Sequence, residues 1–296
     1  TASYQGHPGR SVERILLEDR LRGRLASAVH ARDGWGEPAL FDALRDEAAH
    51  CFSGELDLDT PAPGPSLAHR VAIARGFSRT LIRALFGWLG ERGSRSLATL
   101  LAHVYNPFNA ALDPAQGPAP YPDLDAQEGQ LVQNQLTHVT RLRRGPLRGT
   151  MLRNAHALLR RLVDAHFHHL GRLGNIPTIH FARWILIDGG RTLVFTSNYD
   201  GSWESYLGDF VDGAATGLNL AWNCTEGYPQ TRGLAGGGAH NEQAFKRWAR
   251  DHQVPTELFF SAYGQLTVSA INNNSQLRSG LHEQPADLLD WFTRLA

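Results

Sequence analysis

Apolar residues recur at helical spacing through the first part of the chain, and the period then changes to two. SVERILLEDRLRGRLASAVHARD and EPALFDALRDEAAHCF both read as amphipathic helices. Ser11 is placed to cap the first, with Glu13 in its opening turn. Residues 54–65 (GELDLDTPAPGP) break the pattern. Residues 66–90 return to it, with Val71, Ala74, Phe77, Leu81, Leu85 and Trp88 on one side. Residues 109–129, with four prolines and several acids, suit a boundary or a surface tether. LVQNQLTHVTRL (131–142) then alternates as a strand, and 144–171 is helical. Two apolar runs near 178–187 and 192–198, joined at Asp188-Gly189-Gly190, form a hairpin. A helix from Ser202 to about Cys224, a Gly-rich loop and a second helix, NEQAFKRWARDHQ, follow. TELFFSAYGQLTVSAI reads as a last strand and PADLLDWFTRLA as a closing helix.

From residue 131 to 263 the predicted order is β-α-β-β-α-(α)-β. That is the split βαβ, or ferredoxin-like, arrangement: an antiparallel sheet with helices on one face. The expectation is therefore an α+β chain with a helical N-terminal region at 1–125 and a ferredoxin-like domain at 126–296. The sheet's second face needs cover, and a homodimer could supply it.

Composition narrows the function classes. Lys+Arg and Asp+Glu number 29 each, so no net charge attracts nucleic acid, and no basic stripe interleaves with aromatics. Two cysteines, Cys51 and Cys224, make neither a zinc site nor a disulfide framework, which suggests a reducing compartment, the cytoplasm. No run of about 18 apolar residues suggests a membrane span. Arg70, Arg75, Arg79 and Arg83 make 66–90 a basic amphipathic helix, which fits a solvated rim or contact with a membrane surface. There is no P-loop, GxSxG elbow or HExxH motif.

The candidate chemistry lies in the hairpin. Alternation puts Arg183 on one face with Ile179, Phe181, Ile185 and Ile187, where a buried guanidinium demands an anion. It puts His180 on the other face with Ala182 and Trp184. His138 sits on an apolar face of the preceding strand, close enough in the expected sheet to share a site with His180. Each histidine is also readable as a core residue bonded to a neighbour. Asn198-Tyr199-Asp200-Gly201-Ser202-Trp203 joins strand to helix. There Asp200 or Ser202 can cap the helix, and a carboxylate can equally serve proton transfer.

The stretch NQLTHVTRL … IPTIHFARWILIDGGRTLVFTSNYDGSWESYLGDFVD … INNN, within 131–281, resembles a poorly characterised bacterial peroxidase-like family. More distantly it is similar to dye-decolourising peroxidases and other heme proteins of the dimeric α/β-barrel type. Of their GxxDG signature the chain has the closing Asp200-Gly201, with Ser197 at the first glycine. The resemblance implies a heme-dependent, peroxidase-like oxidoreductase acting on peroxide and a small or lipid-like organic substrate. His180, or next His138, would ligate iron; Asp200 and Tyr199 would serve the chemistry, Arg183 would balance a propionate, and Asn198 and Trp203 would line the cofactor. Two other readings stand beside it. One is a non-catalytic ligand-binding or membrane-peripheral module docking through 66–90. The other is a cofactor-free enzyme using His180 and Asp200 as an acid–base pair.

Overall fold

A computed structural model describes residues 2–7, 9–54, 128, 131–143, 152–154, 156–157, 173, 176–232, 236–283, 285 and 287–295. The chain is mixed α+β, with an open four-stranded antiparallel sheet. The strands are β1 (Ala2–Gln5), β2 (Gln133–Arg141), β3 (Ile179–Ile187) and β4 (Thr192–Asp200), in the order β1-β3-β4-β2. The chain divides into two compact units, Thr1–Gly6 with Leu67–Phe259 and His7–Ser66 with Phe260–Ala296. A single boundary near residue 125 was expected. Instead, the last 37 positions group with the N-terminal helices, and the first six join the sheet.

In the sheet unit, β3 and β4 meet at a tight turn. Asp188, Gly189 and Gly190 all have positive φ, and the Thr192 hydroxyl donates to Asp188 Oδ2 at 2.7 Å. One face carries Leu136 and His138 from β2, Ala182 and Trp184 from β3, and Leu193, Phe195, Ser197 and Tyr199 from β4, all buried. That face packs on α3 (Trp203–Trp222) and α4 (Glu242–Asp251), through Tyr206, Phe210, Trp222 and Trp248. The opposite face, with Arg183, Val139 and Ile187 exposed, is more polar. Beyond β2 the sheet gains a short bridge: Val139 N–H donates to His252 C=O at 3.1 Å, and Val254 N–H to Thr137 C=O at 2.8 Å.

The second unit packs α1 (Val12–His30) and α2 (Glu37–Cys51) with α5 (Val268–Glu283) and α6 (Leu288–Thr293). Leu21, Leu25, Phe41 and Leu44 meet Leu277, Leu281 and Trp291. The expected strand in TELFFSAYGQLTVSAI is absent. Residues 256–267 hold no regular element, and the helix begins at Val268. The apolar residues that suggested a strand are not packed, since Leu258 is 88% and Phe260 83% exposed. Thr267 instead takes the cap position, its hydroxyl accepting from Ala270 N–H at 3.0 Å. Residues 66–90, 109–127 and most of 144–171 lie outside the described residues. Among the described residues, no helix is long and apolar enough to cross a membrane.

Candidate active site

The hairpin's polar residues divide between the two faces of the sheet. A register shift falls between Ile179 and Phe181: Ile179 pairs with Tyr199, and Phe181 pairs with Asn198. The extra residue at this bulge is His180. Bulges re-aim a side chain that plain alternation would place elsewhere. Ala182 and Trp184 keep to the helix-covered face, whereas His180 bonds Asp200, which alternates with the inward Tyr199. His180 therefore does not share the face of Ala182 and Trp184.

His180 Nε2 lies 2.7 Å from Asp200 Oδ1, and both residues are buried. Local structure leaves Asp200 available for this bond. The helix cap belongs to Ser202, whose hydroxyl accepts from Ser205 N–H at 3.3 Å. Gly201, at φ 81°, makes the turn between strand and cap. Asp200 N–H is itself fixed by Thr178 C=O at 2.9 Å. Thr178 thus stands beside the pair, its buried hydroxyl without a hydrogen-bond partner. Gln133 faces Asp200 across the ladder, and Asn198, half-buried, stands opposite Gln135 and Phe181.

Arg183 is exposed and so is free of the demand for an anion that burial would impose. Among the described residues of this unit the buried guanidinium is that of Arg250, near the end of α4. Its Nη1 and Nη2 both donate to Glu128 Oε2 at 3.2 Å, and Nη1 also donates to Gln253 Oε1 at 2.9 Å. Its Cζ lies 3.8 Å from the ring centroid of Trp203. This is the paired, stacked environment that a desolvated arginine requires. Sequence reading missed it, because the carboxylate partner is 122 positions away and Glu128 sits at the end of the proline-rich stretch.

Tyr199 is buried on the helix side, stacked on Tyr206 at 3.8 Å between centroids. Burial, reinforced by the Glu128 carboxylate, pushes its phenol far above the ordinary range. Its hydroxyl has no hydrogen-bond partner, whereas Tyr206 shares a short hydrogen bond with Ser197. Trp203 belongs to the Arg250 stack, with its indole N–H unpartnered.

His138 is not near His180. It lies opposite Phe195, four residues along β4 from Tyr199, which amounts to roughly 13 Å along the strand. β4 also separates β2 from β3, so the two imidazoles belong to different places. His138 is enclosed by Trp248 and Phe195, at 5.8 and 6.2 Å between centroids. Burial, with the nearby charges of His252 and Arg250, lowers its pKa to about 3, so it is a neutral core imidazole. Its Nε2 has no partner.

The resemblance to heme proteins asks for an imidazole nitrogen open to iron and a separate carboxylate for peroxide protons. In His180 and Asp200 the two roles are not separate: the carboxylate assigned to peroxide is hydrogen-bonded to Nε2 of the histidine assigned to iron. Among the described residues no group of three or more His, Cys, Asp or Glu is arranged to hold a metal ion. A recess of about 440 Å³ runs along Val211–Thr216 to His240, and none of the candidate residues lines it. No known protein family matches the chain, nor does any curated protein or solved structure.

Proposed function

We propose that the chain is an acid–base enzyme acting on a small organic substrate, with His180 as the proton-transfer group and Asp200 as the carboxylate that orients it. The observation carrying this reading is the 2.7 Å bond between two buried side chains. A carboxylate only accepts, so Nε2 is the ring nitrogen that donates to Asp200. The bond thereby fixes the orientation of the ring. When it takes a proton from substrate, the imidazolium is stabilised by Asp200 where water is scarce and the field is strong. Thr178, Gln133 and Asn198 supply polar groups on the same side of the sheet. The fold reading that goes with it is the split βαβ class. Its support is that β2 and β3 run parallel, with β4 antiparallel between them, and that residues 252–254 border β2 where a fourth strand would lie.

The test is a turnover screen over activated esters, lactones and enolisable carbonyl compounds, with thermal unfolding measured in parallel. At least one probe class is expected to turn over. Asp200→Asn and His180→Ala should each reduce its kcat/KM by about 100-fold or more, with native secondary structure retained. Equal turnover in Asp200→Asn, or no turnover of any class by the wild-type protein, would remove the proposal.

A further inference from the structure

Asn134 is a buried carboxamide near the start of β2. Asparagine is a poor strand residue, and a buried amide is costly unless its hydrogen bonds are made. It stands opposite Tyr199, one residue before Asp200 on β4. Its Nδ2 donates to Gly201 C=O at 2.8 Å and to Leu131 C=O at 3.2 Å. Gly201 follows Asp200 at φ 81°, and its N–H donates to Val132 C=O at 3.0 Å. On the other side, Asp200 N–H donates to Thr178 C=O at 2.9 Å. Three successive peptide groups around Asp200 are therefore tied down: 199–200 by Thr178, 200–201 by Val132 and 201–202 by Asn134.

We infer that Asn134 is a positioning residue for the proton-transfer pair, acting through the backbone of Asp200. Peptide planes are rigid, so fixing them on both sides of Asp200 fixes its φ and ψ. The carboxylate then reaches His180 Nε2 with only its own side-chain torsions left to order. Two of the three ties are backbone bonds open to any residue; the third requires the side chain of Asn134. It falls where the chain is otherwise loosest, because glycine at positive φ has wide conformational freedom. A sub-ångström drift of the turn would lengthen the 2.7 Å bond between Asp200 and His180. The catalytic consequence rests on the acid–base reading; the structural consequence rests on the His180–Asp200 bond alone.

The experiment has two readouts on the full chain, one of which needs no substrate. Proton NMR with nitrogen-labelled histidine should show a low-field ring N–H signal for the His180–Asp200 bond, assigned by its loss in His180→Ala. Asn134→Leu, which removes the donor at similar volume, and Asn134→Ala should each lose that signal while remaining folded. Asn134→Ser, with a shorter donor, should keep part of it. Ser202→Ala lowers stability at the same turn through the helix cap and should keep all of it. On a probe that the wild-type protein turns over, Asn134→Leu should lower kcat by about tenfold or more with KM little changed. If no probe is turned over but the signal responds as stated, the acid–base reading fails and the positioning of the carboxylate stands. A wild-type protein without the signal, folded Asn134→Leu and Asn134→Ala proteins that retain it, or its equal loss in Ser202→Ala overturns the inference.

Discussion

A single side chain here can have the chemistry that its type suggests and still be in the wrong place to use it. His138 and His180 are both buried imidazoles, but only His180 has a carboxylate partner on the page of the sheet where polar groups gather. His138 is neutral by enclosure, and that has a consequence for pH. Its folded pKa of about 3 lies below its unfolded value of 6.5, so below 6.5 the unfolded chain takes up a proton that the native protein refuses. Stability from this residue is therefore complete above pH 6.5. It falls by up to roughly 1.4 kcal/mol per pH unit on acidification towards 3. Urea unfolding at pH 7 and pH 5 should show this slope, and His138→Gln should flatten it. Some slope should persist, because burial lowers the pKa of His156 as well. Arg183 and Arg250 make the same point for guanidinium. Alternation identified a buried-arginine problem correctly in kind, but the residue that meets it is Arg250, through Glu128 and Trp203.

At the scale of elements, short-range signals were legible and determined helix ends well. Ser11 and Ser202 both cap the helices they precede, and the Asp188-Gly189-Gly190 turn joins the strands expected of it. Ser202→Ala should lower stability by about 1 kcal/mol, as cap losses do, while leaving the His180–Asp200 bond in place. A chemical-denaturation midpoint that does not move would contradict the cap assignment. Close packing between elements was not legible. A Cβ on Gly280 of α5 would fall 2.3 Å from Trp291 Nε1 of α6, and that indole N–H is already committed to Leu277 C=O at 3.1 Å. The sequence shows only a glycine inside a helix, which is costly in isolation; the reason for it lies across the interface. The strand expected at 256–271 failed for a related reason. Alternating apolar residues make a strand only where a sheet edge and a core receive them, and Leu258 and Phe260 meet neither.

At the scale of the whole molecule, two cores mean two sets of stabilising contacts. One is the aromatic cluster between the sheet and α3 and α4; the other is the leucine-rich contact of α1 and α2 with α5 and α6. Scanning calorimetry should resolve two transitions rather than one. Glu18→Gln removes the charge that faces Arg14 and Arg278 in a buried setting, so it should lower the transition of the helical unit by an amount corresponding to about 3–5 kcal/mol. The sheet unit's transition should stay where it is. A shift of both together would show that the two units unfold as one.

The sequence alone determined what neighbours in the chain can determine: the helix caps, the hairpin and its turn, the period-two strand at 131–142, and the residue types able to move a proton. Tertiary structure decided which of those residues meet. The bulge at His180 turned its ring towards Asp200, and the pairing of β2 with β4 kept His138 apart. Glu128 and Arg250, and the N-terminal helices and the last 37 positions, were brought together across long separations. Periodicity records which way a side chain points from its own backbone. Contacts between distant segments depend on register, bulges and packing, which no local pattern encodes.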